Sequence, residues 1–497
     1  MKMKKLFLVV LLVTTLTFSM TILMTNAVVD DSVVASENLD QASILSFVTR
    51  HDVTITNEFT SAFLASDYAI NAGITSLVFN SASTDAGWKK LLEDPSKSID
   101  VAWGGGPALF NTMDDYGLLY HIDNQTLIDL LNAVVPDEVA GLAIKSYDAS
   151  DNLIWIGNAI SSFGFTVNHD FLDDYGLPVP NTWEELATPT YYLGPNIKAV
   201  SFGDPPLTTS NTKIVSIILQ AFGWEEGWSI LTRIGANSGI YPGSVDTRAA
   251  VVTGDVGIGM TIDFYGVIAK RENPNTEYII PEGQSIVNGD PIAIASFCDN
   301  FDGANAFFEY LFSLEGQNTW MHEGLDRLPA VADAFQTPYG QTRTDLYSLY
   351  NDTLANEGIE FDENLETDLL QFTIYYFHET IAGLHNNLRN TWGTLLTALD
   401  DETINGTQFQ DLAYEMGEIP YTMADALTLN EEYQSSATRA SELETEWRSM
   451  AKARYANIIC QIEGTCEDEE TPFIIAPVLI STIFMAALTI IRRRKQK

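Results

Sequence analysis

The chain has 497 residues, of which 46% are hydrophobic and 19% charged, enough apolar content to bury a sizeable core in two or three domains. Its 67 acidic against 26 basic residues give a net charge of −41, which argues against nucleic acid or an anionic membrane surface as a partner. An acidic surface permits a cationic ligand without requiring one.

Met1-Lys-Met-Lys-Lys5, an apolar run and the small-residue exit at Ala27 read as a secretory signal over 1–27. No cysteine stands at that exit, so a lipid anchor is excluded. The body then alternates strand and helix patterns from about 41 to 335. Residues 42–48 read as a strand and 54–63 as a helix. The stretch Val101-Ala-Trp103 is a short apolar strand that breaks into Gly104, Gly105, Gly106 and Pro107 before a helical pattern resumes with Leu109, Phe110 and Met113 on one face. Glycines there let bare backbone N–H groups approach a ligand at the mouth of a helix whose N-terminus favours negative charge.

Residues 154–168 read as strand, turn and strand, with Phe163, Phe165 and Val167 alternating. An amphipathic helix over 213–222 is opened by Thr208-Thr-Ser-Asn211, each able to cap it. Residues 256–262 and 291–295 read as strands. This alternation predicts α/β layers with crossover helices. Beyond Gly340 glycine thins out, and long polar and aromatic helical patterns run to about 459. These predict helices that complete or cover the lobes and then form a stalk.

At the C-terminal end, 472–491 is an uncharged apolar stretch of about the 20 residues that cross a bilayer. The basic tail Arg492-Arg-Arg-Lys-Gln-Lys497 orients it with the tail inside. The expectation is a single-pass cell-membrane protein with its binding domain outside and its C-terminus cytoplasmic. Cys460 and Cys466 are spaced to close a small loop in that oxidising setting, and Cys298 reads as a buried core thiol. Asn124, Asn351 and Asn405 each begin an N-x-Thr glycosylation acceptor.

Several segments in this order carry a resemblance over roughly 43–400: His51-Asp52 after the first strand, Asp100-Val-Ala-Trp-Gly-Gly-Gly-Pro107, Gly164-Phe-Thr-Val-Asn168, Pro180-Asn-Thr-Trp-Glu-Glu-Leu186, Phe222-Gly-Trp-Glu-Glu-Gly-Trp228, Val252-Thr-Gly-Asp-Val-Gly-Ile-Gly259, Asp290-Pro-Ile-Ala293 and Phe312-Ser-Leu-Glu-Gly-Gln317. The chain resembles the extracellular solute-binding proteins of ABC importers (family 1), within them the ferric-iron-binding-protein-like group. The resemblance implies a two-lobed α/β fold of the type II periplasmic-binding-protein class, here with a C-terminal helical extension and a single transmembrane helix. Lobe 1 is expected over 41–150 with 275–340 returning to it, lobe 2 over 151–270, and the extension and stalk over 341–470. Hinge motion is expected about strands near 163–168 and 258–264.

The same resemblance implies a ligand held between the lobes by a monomer that hands it to a permease and an ATPase. The implied ligand-binding residues are His51, Trp103, Gly104, Gly105 and Gly106 in lobe 1, and Ser161, Ser162, Thr209, Ser210, Asn211, Ser244, Asp263 and Tyr265 in lobe 2. Ferric binders of the group carry two adjacent tyrosines where this chain has Phe264 and Tyr265, a histidine at His51, and a carboxylate where Gly105 stands. His51 and Tyr265 are thus the metal ligands if the cargo is iron(III), and no resident cofactor is expected. The glycine turn and hydroxyl-rich caps suit phosphonates, sugar phosphates or other small anions equally.

An extracellular hydrolase is the alternative from another class, and a receptor without a transporter is a third. The chain shows no G-x-S-x-G elbow, H-E-x-x-H or P-loop. Its six histidines (51, 121, 169, 322, 378, 385) are scattered. His378 and His385 lie seven apart on one helical pattern and read as a surface pair. An enzyme is not expected.

Overall fold

A computed structural model describes residues 43–466, apart from 83, 140, 141 and 357. Strand β1 (Ser43–Thr49) pairs in parallel with β2 (Ile74–Ser81) and β3 (Val101–Trp103). Helix α1 (Val53–Ala65) connects β1 to this parallel group, and α2 (Pro107–Asp115) follows β3. Strand β4 (Leu153–Asn168) is 16 residues long and buried throughout. Lobe 2 adds β5 (Val200–Gly203), α3 (Thr209–Phe222), β6 (Ser238–Tyr241), α4 (Ser244–Thr253), β7 (Ile258–Ile262) and α5 (Asp263–Glu272). Strand β8 (Val287–Ala295) returns the chain to lobe 1.

These strands form one sheet in the order β6-β5-β7-β4-β8-β3-β1-β2, with shorter strands at its flanks making 12 in all. Strand β4 belongs to both lobes. Its Ile156 to Ser162 half pairs antiparallel with β8, and its Phe163 to Val167 half with β7. The sequence suggested a turn inside this stretch because of its glycines and paired serines. Gly164 instead lies so close to the Ile279 carbonyl that a side chain has no room, and Gly157 packs on the Gly289 backbone. The glycines serve close packing in a continuous strand. The second crossing strand is β8, whereas residues 258–262 lie wholly within lobe 2.

Each lobe has its own core. That of lobe 1 gathers Leu45, Phe47, Phe59, Trp103, Ile156, Phe307 and Trp320, together with Leu346 and Tyr350 of α6 (Thr344–Ala355). The remaining helices are α7 (Glu363–Phe377), α8 (His385–Asp400), α9 (Gly406–Met416), α10 (Met423–Ser435) and α11 (Ala437–Glu463). They share the core of lobe 2: Phe372, Tyr376, Leu388, Trp392, Trp447 and Tyr455 belong to one cluster with Phe165, Trp183, Ile218 and Trp228. A π-helical segment, His378–Ala382, interrupts the helical run between His378 and His385. His378 therefore pairs with Asp204 (2.7 Å), while His385 donates to the Ser238 carbonyl (2.8 Å). A disulfide joins Cys460 and Cys466. Cys298 is a buried free thiol whose pKa burial pushes up to about 12.

The single-pass membrane placement expected from the sequence is corrected. Among the described residues no helix is long and apolar enough to cross a membrane. The stretches 1–27, 472–491 and 492–497 lie outside the described residues.

Trp447 is fully buried against Phe372, Tyr376 and Tyr433. Trp447→Ala is expected to cost ~3–5 kcal/mol, read in denaturant unfolding as one cooperative loss with lobe 2. A neutral substitution would show the extension to be independent of that lobe.

Candidate functional site

The end of β1 delivers Arg50, His51 and Asp52 to the edge between the lobes. Asp52 caps α1, accepting from the N–H groups of Thr54 (2.7 Å) and Ile55 (3.2 Å). His51 donates its backbone N–H to Thr49 Oγ1 (3.0 Å), and its ring stands edge-on to Trp103 at 4.5 Å. Only 8% of the residue is exposed. Its Nε2 is buried without a hydrogen-bond partner, 3.7 Å from Asp290 Oδ2. Burial brings its pKa down to about 4, outweighing the pull of the Asp290 carboxylate. The imidazole is therefore neutral at physiological pH.

The glycine turn closes over this histidine. All three glycines are left-handed, with φ of +79°, +123° and +89°, a region that side-chain-bearing residues rarely adopt. A Cβ on Gly104 would lie 2.5 Å from His51 Nε2, and one on Gly105 would meet Leu109 at 2.7 Å. One on Gly106 would come within 3.5 Å of Asn288 Nδ2. Asn288 Oδ1 is buried and unpartnered. Arg327 donates to Asp290 Oδ2 (2.8 Å), and its guanidinium lies 4.6 Å from the Phe264 ring centroid and 5.6 Å from that of Trp320. Its Nε, like His51 Nε2, has no partner.

Lobe 2 meets this group through α5. Asp263 accepts from the Ser162 backbone N–H (2.7 Å) and from that of Phe264 (2.7 Å). Burial raises its pKa to about 6 in spite of those donors. Tyr278 donates its hydroxyl to the Ser162 carbonyl (2.9 Å). Ser161 is buried beside it, paired in register with Asn288. Tyr265 lies under the Arg248 guanidinium at 5.6 Å. Its phenol pKa is raised, by burial first and by the nearby Asp52 second, so the side chain is a neutral hydroxyl.

The residues expected to cap α3 do something else. Thr208 makes no capping bond to the helix, and its hydroxyl meets Ser244 Oγ instead. Ser210 Oγ reaches the same Ser244 Oγ at 2.5 Å, and Asn211 Nδ2 donates to it at 3.3 Å. Asn211 Oδ1 accepts from the Gly203 N–H (2.9 Å). These hydroxyls tie the start of α3 to the start of α4. Thr209 is exposed and stands outside this knot.

Helices starting after Ser66, Asn124, Asn168 and Ser313 carry side-chain caps. Helices α2 of lobe 1 and α3, α4 and α5 of lobe 2 have none, and neither do the helix Trp224–Asn237, α6 and α8, whereas α1 beside His51 is capped by Asp52. An uncapped N-terminus carries partial positive charge and favours an anion, but at α5 the Phe264 N–H is already taken by the Asp263 carboxylate.

The structure thus brings His51 to Gly104 and Asp290, Ser162 to Asp263, and Ser210 and Asn211 to Ser244. Trp103 sits in the core of lobe 1, fully buried, with its indole N–H donating to Asn158 Oδ1 (3.2 Å). Sequence reading missed Arg327, Asn288, Asp290 and Arg248. Only Asp290 lay in a segment that had been singled out. Among the described residues no group of three or more His, Cys, Asp or Glu side chains is placed to hold a metal ion.

Comparison with known proteins follows this geometry. A family model described as bacterial extracellular solute-binding protein matches residues 59–346. The phosphoglycerate transport regulatory protein PgtC of Salmonella typhimurium is 25% identical over 222 residues, covering 44% of this chain. The chain spans about half (53%) of the length of that relative. Among solved structures, the periplasmic binding protein AfuA of Actinobacillus pleuropneumoniae superposes with a TM-score of 0.52 at 18% identity, covering 68% of this chain and 98% of that one. The Atu4243 GABA receptor gives a TM-score of 0.53 at 15% identity, covering 68% and 97%. Both superpositions show the shared fold.

The depressed pKa of His51 sets a pH dependence. The unfolded chain takes up a proton near 6.5 that the folded imidazole refuses until about 4. Its contribution to stability is complete above pH 6.5 and is lost as the pH falls towards 4, by up to ~3 kcal/mol. Comparing denaturant unfolding of the wild type and His51→Gln between pH 4 and 7 should show a steeper acid-side loss in the wild type, and equal slopes would contradict it.

Proposed function

We propose, since the chain belongs to the bacterial extracellular solute-binding protein family, that its interlobe cleft captures a small phosphate-bearing organic anion and delivers it to an ABC importer. The family fixes the coarse part of this statement. Its members are extracellular solute-binding proteins, which supports a binding role beside a permease and an ATPase. The nature of the cargo rests on the site.

The observation that supports the anion is the uncapped start of α2 at the glycine turn, beside which Asn288 lies between the lobes. Two buried groups without partners, Arg327 Nε and neutral His51 Nε2, stand with it. Backbone N–H groups and a guanidinium are donors matched to phosphate oxygens. The phosphoglycerate transport assignment of PgtC supports the same class of cargo. Iron(III) wants anionic oxygen donors around it. At the position of the expected tyrosine pair, this chain has the Phe264 ring with the cationic Arg327 over it, and the Tyr265 phenol is held neutral. That arrangement lacks the second tyrosine oxygen of the expected pair and sets a guanidinium at its place, which favours an anion over iron(III).

Capture follows from the topology. The two crossing strands allow the lobes to rotate, and closure brings the start of α2 towards the starts of α3, α4 and α5. A ligand that bridges these donors binds the closed form better, and that difference drives the closure.

Thermal unfolding of the protein against 3-phosphoglycerate, sn-glycerol 3-phosphate, fructose 6-phosphate, inorganic phosphate and iron(III) tests the proposal. A cognate phosphate at a hundredfold over its dissociation constant adds about 2.7 kcal/mol, and Arg327→Gln should abolish the shift. A stabilisation by iron(III) alone would overturn the proposal.

A further inference from the structure

The cleft extends beyond the glycine turn. A cavity of about 590 Å³ is lined on one side by Pro107, Asn111 and Trp155, with Asn288 of β8 between the lobes. Its opposite wall is made by Glu360 and Phe361 together with the first turn of α7. That volume lies within the range of small-molecule sites. Trp155 is fixed by its indole N–H donating to Asn111 Oδ1 (2.9 Å).

The opposing wall is tied to lobe 2. Asp362 donates its backbone N–H to Gln220 Oε1 (2.7 Å), and Gln220 Nε2 returns a bond to the Asp362 carbonyl (3.0 Å). Lys213 bonds Glu363 at 3.0 Å and also reaches the buried Glu366. Its ammonium lies 4.9 Å from the Phe361 ring centroid. Both Gln220 and Lys213 are on α3. Upstream, the Ile359 N–H donates to the Ser285 carbonyl (3.0 Å), while α6 before it packs in the core of lobe 1. The strap 359–364 thus crosses between the lobes and is fixed to lobe 2, facing α2 of lobe 1 over the cavity.

We infer that this strap is the lobe 2 wall of the ligand cleft at its far end, and that Phe361 is a specificity-determining residue limiting the length of solute on which the cleft closes. The inference rests on the cleft being the ligand site. The strap falls outside the residues 59–346 that match the family, so this wall is a feature of this chain's own extension. A phosphate head held at the glycine turn and the start of α2 leaves the rest of the solute to run towards Trp155 and Phe361. An aromatic ring there is a rigid stop with a large contact area.

The test uses the full chain and Phe361→Ala, titrated calorimetrically with inorganic phosphate, sn-glycerol 3-phosphate and fructose 6-phosphate. The affinity for phosphate should stay unchanged, while the affinity ratio of the hexose phosphate to the glycerol phosphate rises ~10-fold. A change by one common factor for all three, or no change, overturns the inference. Hydrogen exchange of the ligand-free proteins supplies an independent readout. A wall between the lobes predicts faster exchange in α2, which belongs to lobe 1, whereas a purely structural role in lobe 2 confines the change to α3 and α7. If the wild type binds none of the phosphates, the anion proposal fails, and exchange in α2 alone decides whether the strap walls the cleft.

Discussion

Strand β4 is shared by two cores, and this single constraint propagates through the molecule. All 16 of its residues are buried, so its backbone groups must find partners on both flanks. They do so with β8 and the short strands Lys145–Tyr147 and Leu328–Pro329 in one half, and with β7 and Thr276–Ile279 in the other. A slip of one residue in either pairing would turn Phe163, Phe165 and Val167 out of the core of lobe 2. The register therefore fixes where Ser162 falls, and with it the anchor of Asp263. The same register sets Asn288 opposite Ser161 under the glycine turn. The site is in this sense a consequence of where one strand changes lobes.

An anion-binding cleft in a chain of net charge −41 needs explanation. Surface charges act through water and salt, which screen them beyond about 8 Å at physiological ionic strength. Backbone N–H groups and a guanidinium at contact distance act in a partly dry gap where their effect is far stronger. Local donors therefore decide binding, and the acidic surface governs solubility and approach. Asp290 stands beside His51, and Arg327 pairs with it at 2.8 Å. The protonation equilibrium of Asp263, shifted up to about 6, limits the negative charge it carries in mildly acidic conditions.

Much of this was legible in the sequence, for reasons that are local. The strand Ser43–Thr49, the glycine turn with Pro107 opening α2, and α3 are written in apolar periodicity and turn residues. Non-local features were not legible. Thr208 has the chemistry of a cap, yet its hydroxyl goes to Ser244, 36 residues away, which no local pattern reveals. Gly157 and Gly164 look like turn residues and instead admit neighbouring backbone. The aromatic-rich helices after α6 read as completing or covering the lobes and then forming a stalk, because periodicity tells which face is apolar and not what covers it. Arg327 lies in an unremarkable Leu-Asp-Arg-Leu stretch and becomes central only when the fold sets it over Phe264.

The measurement that bears most directly on capture between the lobes is the distance between spin labels on Asp173→Cys in lobe 2 and Asp302→Cys in lobe 1, with Cys298 left buried and unlabelled. Both positions are exposed and far in sequence from the cleft residues. Shortening of that distance by 3-phosphoglycerate, with no response to glycerol or iron(III), is the expected result. A distance that ignores every phosphate, or that shortens with iron(III) alone, would contradict an anion held between the lobes by the uncapped start of α2, His51 and Arg327.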